Sequence, residues 1–212
     1  MCFELINFQI KLNNKPLFKP FSLNIKAGQI GAITGPSGSG KSTILSDILG
    51  ILTANFSRSG SILLNGKKMT DLPTEQRQIG IFFQDDLLFP HLNVFENLVF
   101  GLPAALSKKQ KSQSISEALT HAGLQGFEKR DIATLSGGQR ARISLLRTLL
   151  SEPKLILLDE PFSKLDEELR DQFRNWVFNQ IQQQNIPAVL VTHDIRDIPA
   201  SAVKTELEVS YA

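Results

Sequence analysis

A glycine-rich segment with a lysine and a hydroxyl residue is the first feature that could do chemistry. It fits the spacing G-x-x-x-x-G-K-[S/T] over the residues Gly35, Pro36, Ser37, Gly38, Ser39, Gly40, Lys41 and Ser42. In this pattern backbone N–H groups and a helix N-terminus bind phosphate, the lysine reaches the terminal phosphates, and the serine hydroxyl can bind Mg²⁺. Thr43 adds a hydroxyl near the α-phosphate. A glycine-rich turn with an incidental lysine is the alternative.

Two adjacent carboxylates, Asp159 and Glu160, follow the apolar run Leu155–Leu158. A strand end beside a phosphate loop is where a Mg²⁺ ligand and a catalytic base are needed. We therefore expect Asp159 to hold the Mg²⁺ shell and Glu160 to orient and deprotonate the attacking water. Taken alone, such a pair is more often a solvated turn, and its combination with the glycine-rich loop reverses that interpretation.

A second phosphate-binding helix start is indicated by Ser136, Gly137, Gly138 and Gln139, which precede apolar residues at helical spacing. A helix cap without further function is the alternative for this segment. His193 follows the apolar run Val189–Val191 and Thr192, where a histidine is either a turn residue or a functional group. Gln84 alone would be only a polar residue at a strand end.

The elements around these residues indicate an α/β fold. Gln29–Thr34, Gln78–Phe83, Lys154–Leu158 and Pro187–Thr192 have the composition of buried strands, and helical segments separate them. This order predicts a largely parallel sheet covered by helices. The alternation in Phe21–Ile25 and the Asn65-Gly66 pair predict a small antiparallel β layer.

Residues 103–134 differ from the rest and predict an inserted helical subdomain, with Ile115, Ala118, Leu119 and Ala122 on one helix face. We place this subdomain at about residues 85–150, within one domain spanning 1–212. The run Lys108, Lys109 and Lys111 is most simply a solvated face.

The amino-acid composition disfavours several classes of function. A net charge of +2, from 23 basic and 21 acidic residues spread along the chain, lacks the basic stripe typical of nucleic-acid binding. The single cysteine, Cys2, allows no internal disulfide and suits a reducing compartment. No signal-peptide pattern is evident, and the apolar runs are shorter than the ~20 residues of a membrane-spanning helix. If the protein acts at a membrane, we expect a partner protein to span the bilayer.

The motifs together resemble the ATP-binding subunits of ABC transporters over essentially the whole chain. Gln84 matches the family's Q-loop glutamine, Ser163 to Asp166 its D-loop, and His193 its switch histidine. The arrangement of residues 72–80 before Gln84, and of 136–149, resembles stand-alone importer-type subunits. The resemblance implies a P-loop NTPase core and an ATPase that uses ATP and Mg²⁺, with Gln84 also reaching the metal.

The resemblance further implies a head-to-tail dimer of two copies. ATP held by residues 35–43 of one copy would be capped by residues 136–139 of the other, and hydrolysis would favour opening. His193 would keep the γ-phosphate and the base in register. Membrane-spanning permease subunits and a separate solute-binding protein would be the partners, and no nucleic acid is expected. The expected location is peripheral, on the cytoplasmic face of the inner (plasma) membrane, with the isolated chain soluble.

Two departures from the family pattern are informative. Leu12 occupies the position where the family usually has an aromatic residue that stacks on adenine, which predicts weak adenine discrimination. Phe8 and Phe18 are alternatives, although most phenylalanines fill the core. The chain ends at Ala212, which leads us to expect no additional regulatory domain.

Other functions compete with transport. A soluble ABC ATPase that remodels DNA or ribosomes usually carries two nucleotide domains or a long coiled insertion, and neither is evident here. A P-loop kinase is disfavoured by Ser136 to Gln139 and by His193. The transported solute is set by other chains, and the direction of transport rests on resemblance alone.

Overall fold

The protein is described by a computed structural model over residues 1–210, apart from the side chain of Glu168. The predicted chain end at Ala212 lies outside these residues. Residues 1–210 contain ten strands: β1 Cys2–Leu12, β2 Lys15–Pro16, β3 Phe21–Lys26, β4 Ile30–Thr34, β5 Phe56–Leu64, β6 Lys67–Lys68, β7 Ile79–Phe82, β8 Leu155–Asp159, β9 Ala188–Val191 and β10 Val203–Glu206. The α-helices in the same range are α1 Lys41–Leu49, α2 Val94–Val99, α3 Lys108–His121, α4 Gly137–Leu149 and α5 Glu167–Gln183.

The central sheet has the strand order β10-β4-β9-β8-β7, and all its pairings are parallel. Its three inner strands, β4, β9 and β8, are buried on both faces. Leu155 and Leu157 point into one core cluster, and Ile156 and Leu158 point into another. This explains why the sequence shows continuous apolar runs instead of alternation. The carboxyl ends of β4, β8 and β9 lie side by side, so residues that follow these strands meet at one edge.

The antiparallel sheet places β1 between β3 and β5, with β2 and β6 at its ends. The predicted hairpin at Asn65-Gly66 is present, since Leu64 pairs with Lys67 across it. Phe8 and Phe18 are fully buried and pack against Phe21 in the core between the two sheets. They are core residues, as most phenylalanines are.

Helix α1 lies between the sheets and buries Ile44, Leu45 and Ile48. Its carboxyl end is held by Arg77, whose guanidinium donates to the carbonyl oxygens of Asp47 and Ile48 at 2.8 Å each. A cation at this end of a helix satisfies free carbonyls and complements the helix dipole. These contacts anchor α1, the helix that follows the glycine-rich loop.

Helices α2 and α3 and one face of α4 enclose an apolar cluster of their own, to which Ile115, Leu119 and Ala122 of the predicted helix face contribute. Helix α4 also contributes Leu145 and Leu149 to the cluster under the parallel sheet. Trp176 on α5 packs against both clusters. Helix α4 therefore belongs both to the helical subdomain and to the core under the parallel sheet. For this reason the subdomain boundary at about residues 85–150 stays a prediction.

Candidate functional site

The glycine-rich loop connects β4 to α1 and curls around the Lys41 side chain. The Lys41 ammonium donates to the carbonyl oxygens of Gly35 at 2.8 Å and Pro36 at 2.9 Å. Gly38 and Gly40 have φ values of 77° and 93°, a left-handed conformation that side chains rarely adopt. A Cβ at Gly40 would also lie 3.1 Å from Leu17. The glycine spacing is therefore required by the shape of the loop.

Ser42 and Asp159 are brought together from different parts of the chain. The Ser42 hydroxyl donates to Asp159 Oδ1 at 3.4 Å, so a hydroxyl and a carboxylate oxygen lie side by side at the mouth of the loop. Burial raises the pKa of Asp159, and the Glu160 carboxylate raises it further, against the hydrogen bond from Ser42. Such oxygen donors suit Mg²⁺, which binds one or two carboxylates together with substrate phosphates.

Glu160 follows β8 and contacts His193, which follows β9. Glu160 Oε1 lies 3.1 Å from His193 Nδ1, and the Glu160 backbone N–H donates to the Val191 carbonyl at 2.9 Å. In the tautomer with its proton on Nδ1, His193 would donate this hydrogen bond to the Glu160 carboxylate. Glu160 has a φ of 45°, uncommon for a residue with a side chain. The neighbouring strand thus fixes both the backbone and the carboxylate of Glu160.

A cavity of about 330 Å³ lies in front of the loop and exposes Lys41, Ser42, Thr43 and Glu160. Its outer wall is apolar and consists of Leu12, Leu17 and Phe56. Leu12 and Phe56 face each other across the β1–β5 ladder. Phe56 is not marked by any sequence motif, since only strand register places it opposite Leu12.

Gln84 does not line the cavity around Lys41. It is exposed after β7 and lines a neighbouring cavity together with Gly137 and Lys164. The residue after it, Asp85, forms an ion pair with Lys164. Asp86 accepts a hydrogen bond from Arg140 at 2.9 Å. The loop after Gln84 is therefore tied both to residues 163–166 and to the first turn of α4.

Ser136 is the N-cap of α4. Its hydroxyl accepts from the Gln139 backbone N–H at 3.3 Å, and its own N–H donates to Gln139 Oε1 at 3.0 Å. Ser136 therefore caps its own helix, as the alternative interpretation of this segment predicted. The arrangement leaves the Ser136 hydroxyl proton available to a further acceptor, because capping uses only an oxygen lone pair. None of residues 136–139 lines the cavity around Lys41.

An apolar surface cluster lies beside the loop after Gln84 and consists of Phe83, Leu87, Phe89 and Phe100, each at least 37% exposed. The rings of Phe89 and Phe100 lie 4.8 Å apart, and these residues border a groove of about 340 Å³. Arg147 reaches over the Phe89 ring at 5.5 Å. Large contiguous apolar groups on a surface mark binding sites more often than chance.

Over residues 1–210, no helix combines the length and apolar character needed to cross a bilayer. Within the same range, no group of three or more His, Cys, Asp and Glu side chains is arranged to hold a metal ion by itself.

Comparison with known proteins agrees with this geometry. Residues 18–163 match the ABC transporter family. The ABC transporter ATP-binding protein YnjD of Escherichia coli (strain K12) is 47% identical over 196 residues, which cover 92% of this chain and 90% of YnjD. The predicted resemblance to the ATP-binding subunits of ABC transporters is therefore confirmed.

The solved structure of cbiO1 from Clostridium perfringens, part of the ABC transporter complex cbiONQ, superimposes with a TM-score of 0.84. The two chains are 27% identical, and the match covers 97% of this chain and 84% of cbiO1. The predicted α/β P-loop NTPase fold, with its parallel and antiparallel sheets, is confirmed. Nothing in these relatives favours a soluble remodelling ATPase. The chain belongs to the ABC transporter family, as an ATP-binding subunit that hydrolyses ATP.

Proposed function

We propose that this subunit energises solute transport through an ATP-driven head-to-tail dimer, with residues 1–212 forming one ATP-binding domain. The observation that carries the proposal is the pairing of Glu160 with His193 beside the pairing of Ser42 with Asp159, at one strand edge and next to Lys41. A carboxylate base, its positioning histidine, a metal-binding oxygen pair and a phosphate loop are the parts that phosphoryl transfer to water requires.

The phosphate chain of ATP would be bound by the backbone of Gly35 to Thr43. Its oxygens would compete for the Lys41 ammonium with the carbonyl groups of Gly35 and Pro36, which hold that ammonium in position. The N-terminus of α1 contributes further positive potential. The nucleobase would then lie against Leu12, Leu17 and Phe56, at the outer end of the same cavity.

Hydrolysis would proceed by attack of a water oxygen on the γ-phosphorus. Glu160 takes a proton from that water, the bond from the γ-phosphorus to the β,γ-bridging oxygen breaks, and ADP leaves with that oxygen. His193 holds the Glu160 carboxylate in line for this transfer. Positioning of this kind supplies a large part of the rate enhancement in phosphoryl transfer.

Ser42, Asp159 and Gln84 would hold Mg²⁺. The ion, when bound, neutralises charge on the phosphate oxygens. Ser42 and Asp159 already adjoin each other, whereas Gln84 lies in the neighbouring cavity and would have to turn towards the phosphates. A movement of Gln84 would carry with it the loop that contacts Lys164 and Arg140.

The second copy would complete the site. Ser136 to Gln139 lie at a helix start, with the Ser136 hydroxyl proton free to donate, yet they do not line the cavity of their own chain. If these residues cap ATP bound to the other copy, the free hydroxyl proton has a phosphate oxygen to donate to. Their position outside the cavity of their own chain is then explained as well. Loss of the γ-phosphate then removes a shared contact and favours opening of the dimer.

The apolar surface cluster would dock membrane-spanning permease subunits, and a separate solute-binding protein would deliver the solute. Support comes from its position beside the Gln84 loop, which links such a contact directly to the nucleotide site. The subunit would then lie peripherally on the cytoplasmic face of the inner (plasma) membrane, with the isolated chain soluble.

The test is a tagged pull-down from mildly solubilised membranes of the source cell, with mass spectrometry and an ATPase assay. A polytopic membrane protein in stoichiometric amount is the expected result. Recovery of only ribosomal or DNA-associated proteins would contradict the transport role and leave the ATPase activity standing.

Two variants make this test specific for the docking surface. Phe100→Glu introduces a charge into the apolar surface cluster and should remove the membrane protein from the pull-down, while the isolated subunit still hydrolyses ATP. Ile51→Glu changes another exposed apolar residue, remote in sequence from this cluster, and should leave the pull-down unaltered. Equal loss in both variants would contradict the assignment of the surface.

A further inference from the structure

A partly buried ionic cluster adjoins His193 and consists of Arg170, Asp194 and Asp197. Arg170 Nε donates to Asp197 Oδ1 at 2.8 Å, and Arg170 Nη2 donates to Asp197 Oδ2 at 2.6 Å. The same Nη2 donates to Asp194 Oδ2 at 2.8 Å. One guanidinium therefore binds one aspartate with two nitrogens and also reaches the second. Asp194 directly follows the switch histidine, whereas Arg170 and Asp197 lie outside the motifs that carry the family resemblance.

The cluster holds the residues on both sides of His193. Thr192 Oγ1 donates to Asp197 Oδ2 at 3.2 Å, and the Asp194 backbone N–H donates to Thr192 Oγ1 at 3.1 Å. Thr192 is buried, whereas the His193 side chain is 60% exposed. The imidazole itself is therefore held mainly by its contact with Glu160 and by the fixed backbone to either side.

Burial makes this arrangement stiff. The side chains of Asp197 and Arg170 are only 3% and 16% exposed. Removal of Arg170 would therefore leave the buried Asp197 carboxylate with only a 3.7 Å ion-pair contact to Arg174. Hydrogen bonds from Arg196 hold the pKa of Asp194 well below its usual range. A planar guanidinium can make the two-nitrogen contact with Asp197, and a lysine ammonium cannot reproduce it.

Arg170 also belongs to the helix that follows residues 163–166. Asp166 is the N-cap of α5, where its side chain accepts from the Leu169 backbone N–H at 3.0 Å, and Arg170 is the next residue along. Lys164, in the same segment, forms the ion pair with Asp85 of the Gln84 loop. The ionic cluster therefore joins the start of α5 to the loop that carries His193.

We propose that Arg170 is a positioning residue for hydrolysis, which acts through Asp194 and Asp197 to hold His193 against Glu160. This inference rests on the proposed role of His193 and Glu160. It adds that the start of α5 and the His193 loop move as one unit, so that a shift of residues 163–166 displaces the imidazole from the carboxylate. Arg170 touches neither the nucleotide cavity nor Glu160, which separates it from the catalytic residues.

The experiment compares steady-state ATP hydrolysis by Arg170→Gln, Arg170→Lys and the wild-type protein. Misplacement of a catalytic group by about 1 Å costs on the order of 100-fold in rate, so kcat should fall about 10- to 100-fold. The KM for ATP should change less than about threefold, because residues 35–43 are untouched. Lys154→Gln removes an exposed positive charge outside the ionic cluster and is the control, expected within about twofold of wild type.

Arg170→Lys keeps the charge in the cluster and carries the test if Arg170→Gln does not fold. Both Arg170 variants should lose activity if the two-nitrogen contact is what matters. A kcat within twofold of wild type in a folded Arg170→Lys protein would overturn the proposal.

A second step separates this proposal from the proposed function. In a His193→Ala background, measured by single-turnover hydrolysis, the Arg170 substitution should cause little further loss, because the group it positions is gone. An undiminished further loss would overturn the inference and leave the role of His193 intact. Full activity of His193→Ala alone would instead overturn the proposed role of His193.

A direct structural readout accompanies the kinetics. The chain has three histidines, so ¹⁵N-histidine labelling gives three imidazoles to follow by NMR. The His193 resonances should shift in the Arg170 variants, while those of His91 and His121 stay in place. Unchanged His193 resonances would overturn the proposal whatever the rates.

Discussion

Glu160 and His193 face each other across the ends of two adjacent parallel strands, with 3.1 Å between Oε1 and Nδ1. Glu160→Gln keeps the size of this side chain and removes its ability to accept a proton. We expect ATP turnover to fall by about 100-fold or more, within the range attributed to general base catalysis. Phosphate release and size-exclusion chromatography with ATP would measure the rate and the dimer fraction.

The same variant should accumulate an ATP-bound dimer, because bound ATP persists when hydrolysis is slow. Glu75→Gln, an equivalent change at an exposed position, is the control and should hydrolyse ATP normally. Near-normal turnover in Glu160→Gln would remove Glu160 from the role of base.

Ser136→Arg tests whether the start of α4 caps ATP in the other copy. The bulky cation should spare nucleotide binding by the single subunit and abolish both dimer formation and turnover. Loss of the cap itself costs about 1 kcal/mol of folding free energy, so the melting temperature must be measured as well. Fluorescent ATP binding and analytical ultracentrifugation provide the readouts.

Ser116→Arg, on the exposed face of α3, is the matched substitution and should leave turnover unaltered. A parallel loss of nucleotide binding and turnover in Ser136→Arg would show that this serine acts within its own subunit.

The apolar wall of the nucleotide cavity predicts weak selection between nucleobases. Leu12, Leu17 and Phe56 present no hydrogen-bonding side-chain groups, so wild-type affinities for ATP and GTP should be similar. Leu12→Tyr should tighten ATP binding, since stacking of a base on an aromatic ring contributes about 1–3 kcal/mol. Phe56→Ala should weaken the binding of both nucleotides. Titration calorimetry with each nucleotide measures the difference.

Phe100→Ala removes an exposed ring remote from the cavity and should leave both affinities unchanged. A strong preference of the wild-type protein for ATP over GTP would contradict this account of the wall.

The depressed pKa of Asp194 predicts a specific dependence of stability on pH. Because its native pKa lies below the ordinary aspartate value of about 4, its contribution is present above that pH. The contribution is lost as the pH falls through the native pKa. Asp194→Asn should therefore melt a few degrees below wild type at pH 7, and the gap should narrow below pH 4.

Thermal unfolding between pH 7 and pH 2.5 would measure this gap. Asp71→Asn alters an exposed carboxylate whose contact with Lys68 is 3.9 Å long and should show no such gap at any pH. A gap of constant size across this range would mean that the Asp194 carboxylate does not titrate as proposed.

Much of the fold was predictable because its signals are local. The apolar runs at 155–158 and 188–191 are buried on both faces, and Asn65-Gly66 forms the expected hairpin. The placement of Phe56 opposite Leu12 was not predictable, since it depends on how two distant strands align. The same holds for Arg170, whose partners lie 24 and 27 residues away, at the start and the end of a single 3₁₀ turn.

The sequence predicted which residues make up the site better than it predicted how they are arranged in space. Strand ends brought Asp159, Glu160 and His193 together, as parallel pairing requires. Gln84 lies in the neighbouring cavity, and the loop after it is held by contacts with Lys164 and Arg140 that motif spacing does not specify.

Trp176, which packs against both the cluster under the parallel sheet and the cluster of the helical part, is the only tryptophan in the chain. Its neighbours include the Arg142 guanidinium, 5.7 Å from the ring. Any rotation of the helical part relative to the sheet must change the surroundings of this indole. The protein therefore carries its own optical probe, and stopped-flow fluorescence can follow each step of a nucleotide cycle in real time without an added dye.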